Sequence, residues 1–193
     1  VHDEIVRRRV PGRRMIVGIA GAPGAGKSTL AQRICDALAG ACAVPMDGFH
    51  LSNDVLRSLG LARVKGAPQT FDESGYVALL RRLRAREEDV VYAPSFDHVM
   101  NEPIAGSIPV PRACELVVTE GNYLLVWPKA RELLDLTVHI DADPDLRVTG
   151  LIERQLAKGL DEDAAREWVY RSDEANARVV QAHAHLADMQ VHR

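Results

Sequence analysis

The apolar run Met15-Ile16-Val17-Gly18-Ile19-Ala20 leads directly into Gly21-Ala22-Pro23-Gly24-Ala25-Gly26-Lys27-Ser28. That is GxxxxGK[ST] in full, and it leaves few folds open. In such a loop the backbone N–H groups turn inward around an anion, and a helix starting at its end aims its positive dipole at the same point. Glycines are needed because side chains would block the close approach. The apolar run therefore reads as a buried strand, and residues 27–39, stopped by Gly40, as a helix. In this pattern Lys27 neutralises charge on β- and γ-phosphates and the Ser28 hydroxyl ligates magnesium. Residues 21–29, from Gly21 through Thr29, are the expected nucleotide cradle.

Beyond the loop, short β-like runs alternate with helical ones, the order that gives a parallel sheet with helices on both faces. Strands are expected at residues 41–46, 89–92, 115–119 and 136–140, with an edge strand near 188–191. Helices are expected at 53–59, 72–86, 144–158 and 161–184. Pro144 sits at the start of one of these, and Asp161 caps another. Residues 94–111, punctuated by Pro and Gly, read as a protruding loop or hairpin. The fold class is α/β, a parallel sheet covered by helices, of the P-loop NTPase type. Its 193 residues form one expected domain, residues 1–193, with no repeat or linker.

Composition removes several classes. With 24 basic against 27 acidic residues the net charge is −3, which argues against a general nucleic-acid binder. Arg81, Arg82, Arg84 and Arg86 share a helix with Val77, Leu79, Leu80 and Leu83, so they read as its solvated face. Arg7, Arg8, Arg9, Arg13 and Arg14, near the terminus, read as exposed. Cys35, Cys42 and Cys114 show no metal-ligand or CxxC spacing and read as reduced thiols of a cytoplasmic protein. No apolar run nears the ~20 residues that span a bilayer. Residues 1–9 lack the apolar segment of a signal peptide, and without a starting Met the chain reads as trimmed. The oligomeric state stays open, a homodimer included.

Two carboxylates complete the chemistry. Glu120 follows the apolar run 115–119, at the strand edge where NTPases hold magnesium directly or through water. Asp47 closes the strand after the P-loop helix, also at the carboxyl edge of the sheet. It suits a base for an acceptor hydroxyl, and Asp47-Gly48 equally suits a tight turn. No Asn-Lys-x-Asp element for reading guanine is present, and whether ATP is preferred over GTP stays open.

Four stretches following the P-loop are recognisable together: Met46-Asp47-Gly48-Phe49-His50-Leu51, Lys65-Gly66-Ala67-Pro68-Gln69-Thr70-Phe71-Asp72, Tyr92-Ala93-Pro94-Ser95-Phe96-Asp97, and Glu120-Gly121-Asn122-Tyr123-Leu124-Leu125. The chain resembles the uridine kinase / phosphoribulokinase / pantothenate kinase superfamily, nearest to short bacterial proteins assigned as fructose kinases of sugar-transport operons. The resemblance implies an ATP- and Mg²⁺-dependent kinase acting on a hydroxyl of a small metabolite such as fructose. Pantothenate, a nucleoside such as uridine or a hydroxylated antibiotic are the alternative acceptors. A nucleotide-binding regulator is the alternative outside enzymes. The resemblance further implies a doubly wound, nucleoside/nucleotide-kinase-like P-loop fold with a small lid over about residues 150–165, Asp47 as the general base, Glu120 with Ser28 on magnesium, and Arg154 as a lid arginine. Phe49, His50, Tyr92, Phe96, His98 and Tyr123 are the acceptor-side candidates, although aromatics beside strands are more often core residues.

This chain also departs from the resemblance. Gly150 and Glu153 stand where basic residues are expected, which leaves Arg147, Arg154 and Lys158 as lid cations. His98 follows Phe96-Asp97 where the sugar-kinase-like branch carries an arginine. Asp173 and Asn176 match a pattern that follows the lid in the relatives, and a capping or packing role fits them equally.

Overall fold

The computed structural model describes residues 1–193. At its centre is β1 (Met15–Gly21), buried at all seven positions. It pairs in parallel with β5 (Leu116–Gly121), Met15 opposite Leu116 and Ala20 opposite Gly121. On its other side lies β6 (Leu136–Asp141), Val17 opposite Leu136. β2 (Ala41–Pro45) and β7 (Met189–His192) close the edges, giving the five-stranded order β2-β5-β1-β6-β7. Strands covered on both faces have no solvated side, so their sequences are continuous apolar runs rather than alternating ones.

Alternation along β1 divides the core. Ile16 and Ala20 face Tyr76, Leu80 and Leu83 of α4 (Glu73–Ala85) and Val180 of α8 (Glu174–Ala182). Met15, Val17 and Ile19 face Ala31 and Ile34 of α2 (Lys27–Ala37), together with Ile5 of α1 (His2–Arg8). The lid has a small core of its own. Leu151 and Ile152 of α6 (Pro144–Ala157) pack on Ala165 of α7 (Glu162–Trp168) and on Val169.

Three expectations need correcting. The amino-terminal basic stretch is not simply exposed: Ile5 anchors a helix, and Arg14 is only 2% accessible. The Arg14 guanidinium donates to the carbonyls of Cys114 (2.6 Å), Leu83 (2.8 Å), Pro111 (2.7 Å) and Arg112 (3.3 Å), a set no local pattern announces. The strand expected at 89–92 does not join the main sheet. It begins β3 (Val90–Asp97), which pairs antiparallel with β4 (Glu102–Pro111) as a separate ribbon. Pro94, which has no N–H for the ladder, sits where the register shifts between Ala93 and Ser95.

The long helix expected at 161–184 is interrupted. After α7 the chain makes a π-helical stretch, Val169–Asp173, before α8 begins. Such stretches cluster at functional sites because they rotate side chains out of the regular face. A short α5 (Pro128–Arg131) follows β5, opened by a proline at its first turn. The helix expected at 53–59 is α3 (Asn53–Ser58).

Candidate active site

The carboxyl ends of β1, β2 and β5 open into one cavity of about 1140 Å³, roofed by the lid and flanked by the β3–β4 ribbon. Its nucleotide end is the glycine-rich loop. Gly24 has φ +80°, and a Cβ there would lie 2.8 Å from Cγ of Arg147, so a side chain would be both strained and obstructed. Pro23, Gly24, Gly26, Lys27, Ser28 and Thr29 line the cavity. Gly21 and Ala25 are buried beneath the loop, and Ala22 contributes its carbonyl to Lys27.

Lys27 is held ready. Its ammonium donates to the Ala22 carbonyl at 3.1 Å and to Asn122 Oδ1 at 2.8 Å. Burial pulls its pKa down, and the nearby carboxylates of Glu120 and Asp47 push it back up. The Ser28 hydroxyl donates to Glu120 Oε1 at 2.8 Å. Burial raises the pKa of Glu120, Lys27 opposes that rise, and Asp47 adds to it. A half-buried carboxylate touching a serine hydroxyl at the loop is a hard-oxygen donor pair of the kind that suits magnesium.

Asp47 lies in the one-turn 3₁₀ helix Met46–Phe49 that follows β2. Its carbonyl accepts from the His50 N–H (3.1 Å) and from His50 Nδ1 (2.8 Å), which makes the turn, and its side chain faces the cavity. Because a carbonyl only accepts, the proton sits on His50 Nδ1, leaving Nε2 as an acceptor. The ring is clasped by Phe71 and Phe96, with centroids at 3.9 and 4.6 Å, and burial lowers its pKa, which keeps it neutral.

The acceptor-side candidates separate. His50, Phe96 and His98 line the cavity with Asp47. Three others do not. Tyr92 is 58% exposed on the outer side of the ribbon. Phe49 packs edge-on against Tyr76, centroids 5.3 Å apart. Tyr123 is fully buried and donates its hydroxyl to the Gly66 carbonyl at 2.5 Å. The core reading of aromatics beside strands applies to Phe49 and Tyr123.

Among the lid cations, Arg154 and Lys158 line the cavity, and Arg147 does not. Arg147 is buried, donating to the Pro23 carbonyl at 3.1 Å and pairing with Glu174 at 2.5 Å, so it braces the loop from behind. Sequence reasoning had passed over Lys65, Asn101 and Arg193, which also line the cavity, and had not given Asn122 a role. Lys65 and Asn122 lie inside the recognised stretches. Arg193 comes from the end of the chain, where its N–H donates to the Asp141 carbonyl at 2.9 Å, and no motif marks it.

Asp173 and Asn176 both line the cavity, on the π-helical stretch and the first turn of α8. Asp173 Oδ2 is buried with no hydrogen-bond partner. Burial pushes the carboxyl up to about 6, against the pull of Arg154, Arg147 and Lys158. In the unfolded chain an aspartate titrates near ~3.9. The folded state therefore binds the proton more tightly, and this group's contribution to stability falls as pH rises from about 4 through about 6. Asp173→Asn is expected to raise the melting temperature of the ligand-free protein above pH 7, by ~2–4 °C per kcal/mol relieved. That gain should vanish below about pH 4. Melting curves across this range check it, and a gain undiminished at pH 4 would contradict a titrating carboxyl as its source.

Comparison with known proteins agrees with this geometry. The model of the phosphoribulokinase / uridine kinase family matches residues 16–193. A candidate uridine kinase of Schizosaccharomyces pombe is 32% identical, the match covering 93% of this chain and 85% of the relative. The uncharacterised protein YggC of Escherichia coli is also 32% identical, over 93% of this chain and 78% of its own. The crystal structure of a candidate fructose transport system kinase from Silicibacter sp. TM1040 superposes with TM-score 0.91 at 36% identity, covering 98% of this chain and 96% of that one. No helix here is long and apolar enough to cross a membrane.

Proposed function

The chain belongs to the phosphoribulokinase / uridine kinase family, and from that premise we propose that it transfers the γ-phosphoryl group of ATP, with magnesium, to a hydroxyl of a small polyhydroxylated metabolite, a sugar such as fructose. One observation carries the reading. A single cavity joins the phosphate loop with Lys27, the Ser28–Glu120 oxygen pair, and a carboxylate, Asp47, facing a compartment of polar and aromatic side chains. The likeness to the Silicibacter protein, whose name mentions fructose transport, supports a sugar. His98, in place of an arginine, keeps pantothenate, a nucleoside or a hydroxylated antibiotic in the comparison. A regulator without phosphotransfer would have no need of both Asp47 and Glu120.

In this mechanism Lys27 exchanges its bond to Asn122 for β- and γ-phosphate oxygens. Asp47 aligns the acceptor hydroxyl and takes its proton as the hydroxyl oxygen bonds to the γ-phosphorus. The bond from that phosphorus to the bridging oxygen breaks, leaving ADP. Magnesium held by Ser28 and Glu120 would neutralise charge on the phosphates. Arg154 comes down with the lid to stabilise the transferring group and exclude water, so that ATP is not spent on hydrolysis. The transition state being loose, positioning and charge stabilisation supply most of the rate.

The test is ADP release with Mg·ATP against ketoses, aldoses, pantothenate and nucleosides. We expect stimulation by one compound class and its loss in Lys27→Ala, which removes a preorganised charge worth ~10²–10³ in rate. Nucleotide binding with no acceptor stimulating release would favour the regulator. Rapid ADP release without any acceptor would indicate a plain ATPase.

A further inference from the structure

We infer that the acceptor carries an anionic group, a carboxylate or a phosphate monoester, which seats on Lys65 at the ribbon end of the cavity. This rests on the phosphotransfer reading above and narrows its acceptor to anionic compounds, a sugar phosphate or sugar acid in place of the neutral sugar itself.

Lys65 lines the cavity, and its ammonium has three N–H donors. Two go to neutral oxygens, Asn53 Oδ1 at 2.6 Å and the Asn101 carbonyl at 2.6 Å. The ammonium also lies over the Phe96 ring, 5.2 Å from its centroid. None of these partners is a full negative charge. Glu102, the one carboxylate that acts on Lys65 noticeably, has both oxygens engaged by the Asn53 N–H at 3.0 and 3.1 Å. Lys65 is thus immobilised and partly dehydrated, at the cost of its rotamer freedom, with one donor and most of its charge uncompensated. A lysine restrained in this way is pre-organised for an anion that arrives with the ligand.

The other charges in the cavity are arranged to suit. Asp47 and Asp173 line the same cavity, and neither pairs with Lys65. Lys65 is held against the ribbon by the Asn101 carbonyl and the Phe96 ring, with His98 of the ribbon also lining the cavity. A ligand whose reacting hydroxyl meets Asp47 presents its remote end to Lys65, and an anion there would be repelled by Asp47 if the ligand bound reversed. Asp173 Oδ2, buried and unpartnered, remains free to accept from a further hydroxyl. A sugar phosphate, a sugar acid or a small hydroxy acid satisfies all three points, whereas a neutral sugar leaves the Lys65 charge unmet.

The experiment compares matched pairs at fixed Mg·ATP: fructose with fructose 1-phosphate and fructose 6-phosphate, glycerol with glycerate, and glucose with gluconate. It uses the wild type, Lys65→Met and Lys65→Arg, and binding of each compound is measured calorimetrically in the presence of Mg·ADP. We expect the anionic member of a pair to be preferred. Phosphate and carboxylate members tell the two chemistries apart. Lys65→Met should raise KM for the anion by ~10–100-fold with the KM for ATP unchanged, and Lys65→Arg should restore most of it. Turnover of a neutral sugar with KM indifferent to Lys65→Met would overturn the inference and leave the kinase reading standing. Saturable anion binding lost in Lys65→Met, without turnover, would support the anion seat and count against phosphotransfer. Neither turnover nor anion binding would overturn both.

Discussion

Asp47→Asn is expected to lower turnover by ~10²–10⁴-fold, the usual worth of a positioned general base, while nucleotide affinity stays within a few-fold of wild type. The substitution is nearly isosteric, and the turn it belongs to is made by backbone. The Asp47 carbonyl would still accept from the N–H and Nδ1 of His50. What disappears is an oxygen able to take the acceptor's proton. The side effects are opposed. Removing the Asp47 charge relieves Glu120, whose pKa it raises, and weakens the support of the Lys27 charge, which it also raises. Steady-state kinetics with the best acceptor, beside a nucleotide binding isotherm, separate these. A variant with kcat within three-fold of wild type would remove Asp47 from the chemistry and leave it only its turn. A variant that lost nucleotide binding as well would place its role in supporting Lys27.

Arg14→Ala should be the most damaging substitution outside the cavity. Arg14 is buried at the base of the molecule and satisfies four carbonyls, from Leu83 at the end of α4, from Pro111 at the end of β4, and from Arg112 and Cys114 before β5. Each buried carbonyl left without a donor costs ~1–3 kcal/mol, so their sum is a large part of the ~5–15 kcal/mol by which a domain is stable. A fall of ~10 °C or more in melting temperature follows. Arg14→Lys, a single point charge in place of a planar fork, should fall between. The quantity to measure is the denaturation midpoint. If Arg14→Ala melted within two degrees of wild type, the four bonds would be replaceable by water and the guanidinium dispensable.

The contrast between these two residues shows what a sequence makes legible. The P-loop, the apolar runs of β1, β5 and β6, and the carboxylates after β2 and in β5 are local. Spacing and strand character place each at the same edge of the sheet, and the structure keeps them there. Arg14 has no such local signal. Its partners lie 69 to 100 residues away, and in sequence it is one more arginine in a basic stretch. The aromatics failed differently. Phe49 and Tyr123 adjoin cavity residues along the chain and Tyr92 shares a strand with Phe96, yet the first two turn into the core and Tyr92 out to solvent. Lys65 was in plain view within a recognised stretch. Its isolation from any carboxylate partner appears only once the ribbon folds over it.

The β3–β4 ribbon hydrogen-bonds to none of the five parallel strands. Lys27, Ser28 and Glu120 stem from α2 and the main sheet, while Phe96, His98, Val99 and Asn101 reach the cavity from the ribbon. The molecule is divided like a tool with a fixed handle and an exchangeable bit. Substitutions at the ribbon's cavity end can alter which compound fits without disturbing Lys27, Ser28 or Glu120, and without opening the parallel sheet. The few side chains at the tip of the ribbon are thus where a change of diet would cost the rest of the molecule least.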